Sequence, residues 1–216
     1  MKILSKHGKE TALNYIKNQI ITCAMMPGST IQIDEIAEHL NISKIPVREA
    51  LLALQHDGYV TVIPRKKTIV SKISLQDLKD IYDARVLIES FVIENITEKC
   101  AENNMESFLL LRKTWEGIDI SNQSREAYMD FLHSDINFHL TLVSLESNPY
   151  IVNLCQELIY KSQRFWYVAL FNNDMHTVRE EHLNILDAII RHDAEAAAAA
   201  CKKHISVSKA LSILSD

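Results

Sequence analysis

Four residues in the C-terminal half have side chains of the types that bind divalent metal ions. Asp135 and His139 are four residues apart in a segment with helical periodicity, so both project from one helix face. His182 and His204 lie in two later helical segments. Three imidazoles and one carboxylate from three helices could converge inside a bundle on an ion such as Zn²⁺, Ni²⁺ or Mn²⁺. Spacing leaves another interpretation open, because isolated histidines are common and His133 is also close to Asp135.

A second segment has the pattern of a helix that reads DNA. Ser43 is expected to cap it and to contact a phosphate, and Pro46 is tolerated in a first turn. Lys44 and Arg48 lie on its polar face, near the end that meets phosphates and base edges. Gly58 ends the segment as a C′ residue. The opposite face is apolar and consists of Val47, Ala50, Leu51 and Leu54.

The flanking residues predict the rest of a DNA-binding domain. A first helix, marked by Leu13, Ile16 and Ile20, ends at the Pro27-Gly28 turn. Residues 34–40 form a short second helix, and Asn41-Ile42 is the turn before the reading helix. These segments predict a helix-turn-helix.

Two β-rich segments follow, Tyr59–Ile63 and Thr68–Val70. The turn between them carries Arg65, Lys66 and Lys67, so the hairpin has a basic tip that is expected to contact the duplex. Helix-turn-helix and basic hairpin together describe a winged helix-turn-helix. The alternative is an ordinary helical domain with a surface hairpin.

The net charge of −5 is unevenly distributed along the 216 residues. Residues 1–72 carry ten Lys and Arg against six Asp and Glu, whereas the remainder carries 13 against 22. Phosphate contacts are therefore expected only in the N-terminal part. No apolar run reaches membrane-helix length, and no signal peptide is recognised. The four cysteines lack paired zinc-type spacing and are typical of reduced thiols, so we expect a cytoplasmic protein that does not bind membranes.

The region after a linker at about residues 71–76 shows only helical periodicity. Gly117 is the last glycine, so no glycine-rich phosphate loop or dinucleotide fingerprint follows it. An all-α bundle of about six helices is predicted, with helices over about 78–96, 105–118, 125–145, 149–171, 175–192 and 194–214. We thus predict a mainly α protein with a DNA-binding domain over residues 1–72 and a helical domain over residues 73–216.

The whole chain resembles a known group of proteins. Pro27-Gly28, the segment 43–51, Asp57-Gly58 and the wing are similar to the GntR family of bacterial transcription regulators. The segment 82–89 resembles the opening helix of the FCD effector domain found in the FadR-type subfamily. A third similarity is to the metal motif of many FCD domains. It consists of Asp135-x-x-x-His139, the following Asn148, and then His182 and His204.

This resemblance implies a homodimeric, ligand-responsive repressor or activator that binds double-stranded operator DNA. It implies that Asp135, His139, His182 and His204 bind one divalent ion, and that the second domain also dimerises. Members of this family commonly respond to small carboxylates. Arg85 and Arg164 are the candidates for gripping such an effector, since arginine offers a charge-assisted, bidentate contact. For Arg85 an intrahelical pair with Glu89 is the competing interpretation, and for Arg164 a surface cation.

Two positions depart from the family pattern. Lys44 stands where arginine is usual, which replaces a planar fork by a point charge and weakens the case for bidentate guanine reading. Lys67 stands where glycine is usual at the wing tip, which is expected to alter the turn. Neither difference argues against DNA binding.

Two other functions use the same residues. A helical metalloenzyme would use the histidine cluster with a bound water, but it lacks a convincing general base and leaves the winged helix unexplained. A purely structural ion would clamp three helices. We therefore expect a regulator and not an enzyme.

Overall fold

The computed structural model describes residues 2–64, 66–72, 74–99, 102–122, 124–168 and 174–206, apart from the side chains of residues 2–6, 102–104 and 166–168. The chain divides into two compact units, Met1–Ser74 and Leu75–Asp216. Arg65 and the predicted helix ends near Phe171 and Leu214 lie outside the described residues.

The first unit contains three helices and a two-stranded antiparallel sheet, as predicted. The elements are α1 (Lys2–Ile21), α2 (Ile33–His39), α3 (Lys44–His56), β1 (Val60–Ile63) and β2 (Lys67–Val70). Val60 pairs with Val70, and Ile63 pairs with Lys67. Lys67 is therefore accommodated as a strand residue, and the turn is closed by the Lys66 N–H, which donates to the Ile63 carbonyl over 3.1 Å.

Three turns depend on backbone conformations that favour particular residue types. Gly28 and Gly58 have φ of 84° and 80°, which glycine adopts without a Cβ penalty. Asn41, between α2 and α3, has φ of 51°, a region that asparagine tolerates better than most residues. The predicted turn at Asn41 and the C′ position of Gly58 are thus confirmed.

The core of this unit lies where α1 packs against α3. The apolar face predicted for α3 is buried, which leaves its polar face exposed. The buried side chains include Ala12, Ile16, Ile20, Val47, Ala50, Leu51, Leu54, Tyr59, Val60 and Val70.

The described part of the second unit is all-α, as predicted. Its helices are α4 (Leu75–Glu98), α5 (Glu102–Glu116), α6 (Arg125–Ser144), α7 (Pro149–Val168), α8 (Met175–Ile190) and α9 (Ala194–His204). α4 begins at Leu75, inside the stretch expected to be a linker. The side chains of Ser124, Asp174 and Asp193 accept backbone N–H bonds at the starts of α6, α8 and α9.

The long helix α4 packs against α6, α7, α8 and α9, while α8 also packs against α5 and α9. Ala197 and Ala198 on α9 are buried, which fits the close approach of α9 to its neighbours. The interior is filled by aromatic and aliphatic side chains such as Tyr82, Phe108, Trp115, Phe131, Phe138, Leu142, Ile159 and Ile185. Among the described residues, no helix combines the length and hydropathy that a membrane crossing requires.

Candidate metal centre and nucleic-acid interface

The second unit brings the four predicted metal-binding side chains together. Asp135 and His139 come from successive turns of α6, His182 comes from α8, and His204 is the last residue of α9. One potential ligand atom from each residue lies within 4.8 Å of all the others. His139 and His182 are buried, and Asp135 and His204 are partly buried. The rival His133 is exposed and does not belong to this cluster of described residues.

The imidazoles converge through their Nε2 atoms. The Nε2 atom of His204 lies 3.1 Å from Nε2 of His139 and 3.0 Å from Nε2 of His182. The Oδ1 atom of Asp135 lies 3.3 Å from Nε2 of His182. Since imidazole nitrogens bind divalent metals at about 2.0–2.1 Å, two of them on one ion lie about 3.0–3.4 Å apart. The observed separations therefore match those of ligands that share an ion.

Two buried carboxylates determine which nitrogens face the centre. Nδ1 of His139 lies 2.8 Å from Oε2 of Glu89, and Nδ1 of His204 lies 3.0 Å from Oε2 of Glu181. A carboxylate only accepts hydrogen bonds, so each Nδ1 atom must donate. When both rings carry a proton only on Nδ1, their Nε2 atoms direct lone pairs at each other. A cation between them removes this repulsion, so the arrangement fits a metal ion.

Aromatic packing fixes the ring orientation of His182, and burial favours the neutral form of His204. The His182 ring stacks on Phe138, with centroids 3.9 Å apart, and meets Trp115 edge-on at 4.1 Å. Its orientation is therefore fixed by the core. Burial lowers the pKa of His204, although Glu181 opposes this effect. A neutral imidazole at neutral pH has the lone pair that coordination requires.

Arg85 forms the intrahelical pair that was one of its two interpretations. Its Nε atom donates to Oε1 of Glu89 over 2.6 Å, and its second terminal nitrogen lies 3.4 Å from Oε2. Another guanidinium nitrogen donates to Oγ of Ser162 on α7 over 2.9 Å. Burial alone would raise the pKa of Glu89, but Arg85 and His139 outweigh it and hold this pKa at about 2. Burial likewise opposes the charge on Arg85, yet Glu89 keeps the pKa of Arg85 above its ordinary value.

Arg164 is buried near the end of α7, so the interpretation as a surface cation is wrong. Ser162, two residues earlier, contacts Arg85. Neither Ser162 nor Glu181 is among the residues that the sequence predicts for this region. Glu181 contacts a residue 23 positions away on another helix, and no periodicity in the sequence signals such a contact.

In the first unit, α3 presents its predicted cations to solvent. Lys44 and Arg48 are exposed, and Nζ of Lys44 lies 2.9 Å from Oδ2 of Asp34 on α2. Arg48 shares a groove of about 550 Å³ with Lys66 and Lys67 of the wing. The groove also includes the acidic side chains Asp34 and Glu35. The structure thus places three of the predicted DNA-contacting cations around one concave surface.

The structure corrects one expectation for Ser43, which is that its side chain forms a capping hydrogen bond at the start of α3. Ser43 occupies the N-cap position with an extended backbone, but its side chain makes no capping hydrogen bond. An N-cap hydroxyl normally accepts the N–H of the second or third helical residue. The third residue of α3 is Pro46, which has no N–H. The exposed Ser43 therefore marks the helix start by position alone.

Two family models cover most of the chain. The model described as bacterial regulatory proteins, gntR family, matches residues 9–70, and the FCD domain model matches residues 80–207. The second match alone spans more than half of the sequence.

Curated relatives align over most of their own lengths. The uncharacterized HTH-type transcriptional regulator YdhC of Bacillus subtilis is 24% identical over 89% of this chain and 83% of that protein. The HTH-type transcriptional repressor RspR of Escherichia coli K12 is 24% identical over 88% and 82%. The HTH-type transcriptional repressor NanR of an Enterobacter species is 26% identical over 80% and 72%.

Solved structures share the fold. A transcriptional regulator GntR from Rhodococcus sp. RHA1 superposes with a TM-score of 0.76 at 20% identity, covering 96% of this chain and 97% of that one. Escherichia coli McbR/YncC superposes with a TM-score of 0.75 at 21% identity, with the same coverage. The arrangement of an N-terminal winged helix and a C-terminal helical bundle is therefore a shared one.

Proposed function

The chain belongs to the GntR family as a bacterial transcription regulator with an FCD domain, and from this premise we propose how it senses and acts. The helical unit holds one divalent metal ion and binds a small organic acid beside it. The winged helix, assigned to residues 1–72, binds operator DNA. The effector and dimerisation domain is assigned to residues 73–216.

The observation that carries the proposal is that Nε2 of His204 lies within 3.1 Å of Nε2 of both His139 and His182, while Glu89 and Glu181 hold two of the Nδ1 atoms. Asp135, His139, His182 and His204 would be the protein ligands. A mixed nitrogen and oxygen donor set suits Zn²⁺, Ni²⁺ or Mn²⁺. The bound ion would supply a Lewis-acidic coordination position for a carboxylate oxygen.

Two arginines are candidates for binding the part of the effector that the ion does not contact. Arg164 and Arg85 are both buried, and a guanidinium can grip a carboxylate in a bidentate manner. Arg85 would have to share its guanidinium between Glu89 and the effector. Either residue would add charge-assisted hydrogen bonds to the contact that the ion makes.

Six residues of the winged helix are assigned to contacts with the DNA duplex: Ser43, Lys44, Arg48, Arg65, Lys66 and Lys67. α3 is placed in the major groove and the wing along the backbone. The protein works in the cytoplasm. It acts as a homodimer, because one short helix reads only a few base pairs and two helices related by a dyad read two half-sites. The repressors RspR and NanR among the relatives favour repression as the sign of regulation.

Metal content is the test of the sensing site. Wild type, His182→Ala and His204→Ala are purified without added metal and analysed for metal by mass spectrometry. His133→Ala is the matched control, since His133 is an exposed histidine of the same helix α6. We expect about one ion per chain in wild type and the control, and a loss in the two ligand variants. Stoichiometric metal in His182→Ala and His204→Ala would place the ion elsewhere.

The competing functions give different results in the same preparations. A sensor stripped of its ion stays folded but loses the effect of small acids on operator binding. A structural clamp loses helical structure when the ion leaves, which circular dichroism detects. A metalloenzyme turns over a small molecule at a rate that depends on the metal.

A further inference from the structure

We propose that Glu89 and Glu181 are positioning residues of the metal centre, and that Arg85 belongs to the same outer layer because it holds Glu89. This inference rests on the proposed metal centre and extends it to side chains that would not touch the ion. It assigns these three buried charges a shared task, which is to fix the orientation and the tautomer of the imidazoles.

Glu181 acts between two helices. It precedes His182 on α8, yet its Oε2 atom accepts a hydrogen bond from Nδ1 of His204 on α9 over 3.0 Å. This contact places the proton of His204 on Nδ1 and leaves Nε2 as the lone-pair atom, which faces Nε2 of His139 and of His182. Glu181 thereby secures the last residue of α9 as a ligand.

Glu89 acts from α4 and is itself oriented from two sides. Its Oε1 atom accepts from Nε of Arg85 over 2.6 Å, and its Oε2 atom accepts from Nδ1 of His139 over 2.8 Å. Arg85 in turn donates to Ser162 over 2.9 Å. A continuous series of contacts therefore runs from α7 through α4 to the ligand on α6.

The chemistry of these partners suits a ligand-positioning role. Metal-binding histidines usually donate their other ring N–H to a carboxylate or carbonyl, which fixes the ring and raises its basicity. A buried ion pair with no other task is often neutral for stability when compared with apolar side chains. Arg85 and Glu89 are 5% and 3% exposed in their side chains, so their retention in the core needs a reason beyond surface charge.

α5 provides a matched control. Arg112 and Glu116 form an ion pair with the same four-residue spacing, but their side chains are 31% and 49% exposed. The other partner of Arg112 is Asp187 on α8, at 2.6 Å. Glu116→Gln thus removes the same charge from the same kind of pair without touching an imidazole of the cluster.

The experiment measures Zn²⁺ affinity by competition with a chromogenic chelator. Full-length wild type, Glu181→Gln, Glu181→Leu, Glu89→Gln and Glu116→Gln are stripped of metal and reloaded. We expect Zn²⁺ binding about 10- to 100-fold weaker in Glu181→Leu and Glu89→Gln. In Glu89→Gln, the single amide oxygen cannot replace both carboxylate oxygens, which accept from Arg85 and from His139. Glu181→Gln should lie between wild type and Glu181→Leu, because an amide oxygen still accepts the Nδ1 proton but carries no charge. Glu116→Gln should match wild type within about twofold.

A second readout separates positioning from mere folding. Long-range proton–nitrogen correlations of the His204 ring identify which nitrogen carries the proton. They should show protonated Nδ1 in zinc-loaded wild type and a changed Nδ1 signal in Glu181→Leu. Circular dichroism of the metal-free proteins verifies folding. If Glu89→Gln does not fold, the Glu181 variants carry the test, since they leave the Arg85–Glu89 pair intact.

The outcomes distinguish this inference from the function on which it rests. A folded Glu181→Leu protein with wild-type Zn²⁺ affinity and an unchanged His204 signal would overturn the positioning role while leaving the metal centre standing. Wild-type protein that takes up no stoichiometric zinc, nickel or manganese would overturn the metal centre, and the positioning role would fall with it.

Discussion

The two units of this regulator use charge in opposite ways. In the first unit, the ion pair of Lys44 with Asp34 has side chains that are 54% and 75% exposed. In the second, Arg85 and Glu89 are almost fully buried. Exposed cations suit a polyanion, because phosphate binding gains from the release of counterions and needs no fixed geometry. Buried charges are tolerated only with partners and hydrogen bonds, so they specify positions.

The same contrast occurs within the helical unit. Arg85–Glu89 on α4 and Arg112–Glu116 on α5 have the same residue types at the same spacing. Only the first pair is removed from water and connected to an imidazole of the metal cluster. Sequence spacing alone therefore does not reveal which pair is buried beside the cluster, because burial depends on how the helices pack.

The largest expected effect comes from breaking the buried pair. Arg85→Met should destabilise the metal-free protein by about 3–5 kcal/mol, because it leaves the carboxylate of Glu89 buried without its cation. Arg112→Met should cost far less, since water solvates Glu116 in its place. Urea unfolding followed by circular dichroism compares the two variants. Equal losses would remove the distinction between the pairs.

The pH dependence of stability sharpens the same comparison. The pKa of Glu89 is held at about 2, below its ordinary value of 4.5. Because this pKa is lower in the folded state, the ionised carboxylate stabilises the fold at pH values above 4.5. This stabilisation is lost as the pH falls from 4.5 toward 2. The stability advantage of metal-free wild type over Glu89→Gln should therefore shrink between about pH 5 and about pH 3. An advantage that stays constant over this range would contradict the buried-charge account.

On the exposed side, Arg48→Ala should weaken operator binding by about 1–3 kcal/mol if Arg48 reads a base. Fluorescence anisotropy with operator and random duplexes would show a larger loss for the operator. The Lys44→Ala, Arg48→Ala double variant extends the test. Unchanged operator affinity in that double variant, with the fold intact, would remove α3 from the interface.

The smallest expected effect concerns the wing. Lys66→Ala should weaken binding to all duplexes alike and reduce the salt slope of log affinity by about 1, since Lys66 is assigned to a phosphate. Titrations at several salt concentrations measure this slope. Loss of discrimination between sequences, with the slope unchanged, would instead assign Lys66 to a base.

Local signals predicted the elements well. The apolar face of α3, the positive φ at Gly58 and the β-rich segments gave the winged helix, although β2 begins one residue earlier than predicted. Ser43 occupies the predicted N-cap position but makes no capping hydrogen bond, and Pro46 offers no N–H at the third helical position. Long helical periodicities likewise gave the bundle.

Tertiary contacts were harder to predict. The four-residue spacing indicated that Asp135 and His139 share a face, but which histidines of other helices meet them depends on packing. Whether Arg85 forms a surface pair or a buried one depends on packing, and the four-residue spacing to Glu89 does not predict it. Glu181 went unrecognised because its partner His204 lies on a different helix.

The most direct test of the central claim is anomalous diffraction from crystals of the full-length protein purified without added metal. Data collected on both sides of the zinc, nickel and manganese absorption edges would locate and identify the ion. We expect one anomalous peak per chain, in contact with Asp135, His139, His182 and His204, that disappears after chelation. A peak bound by other residues, or no peak even after the crystals are soaked in these metals, would contradict it.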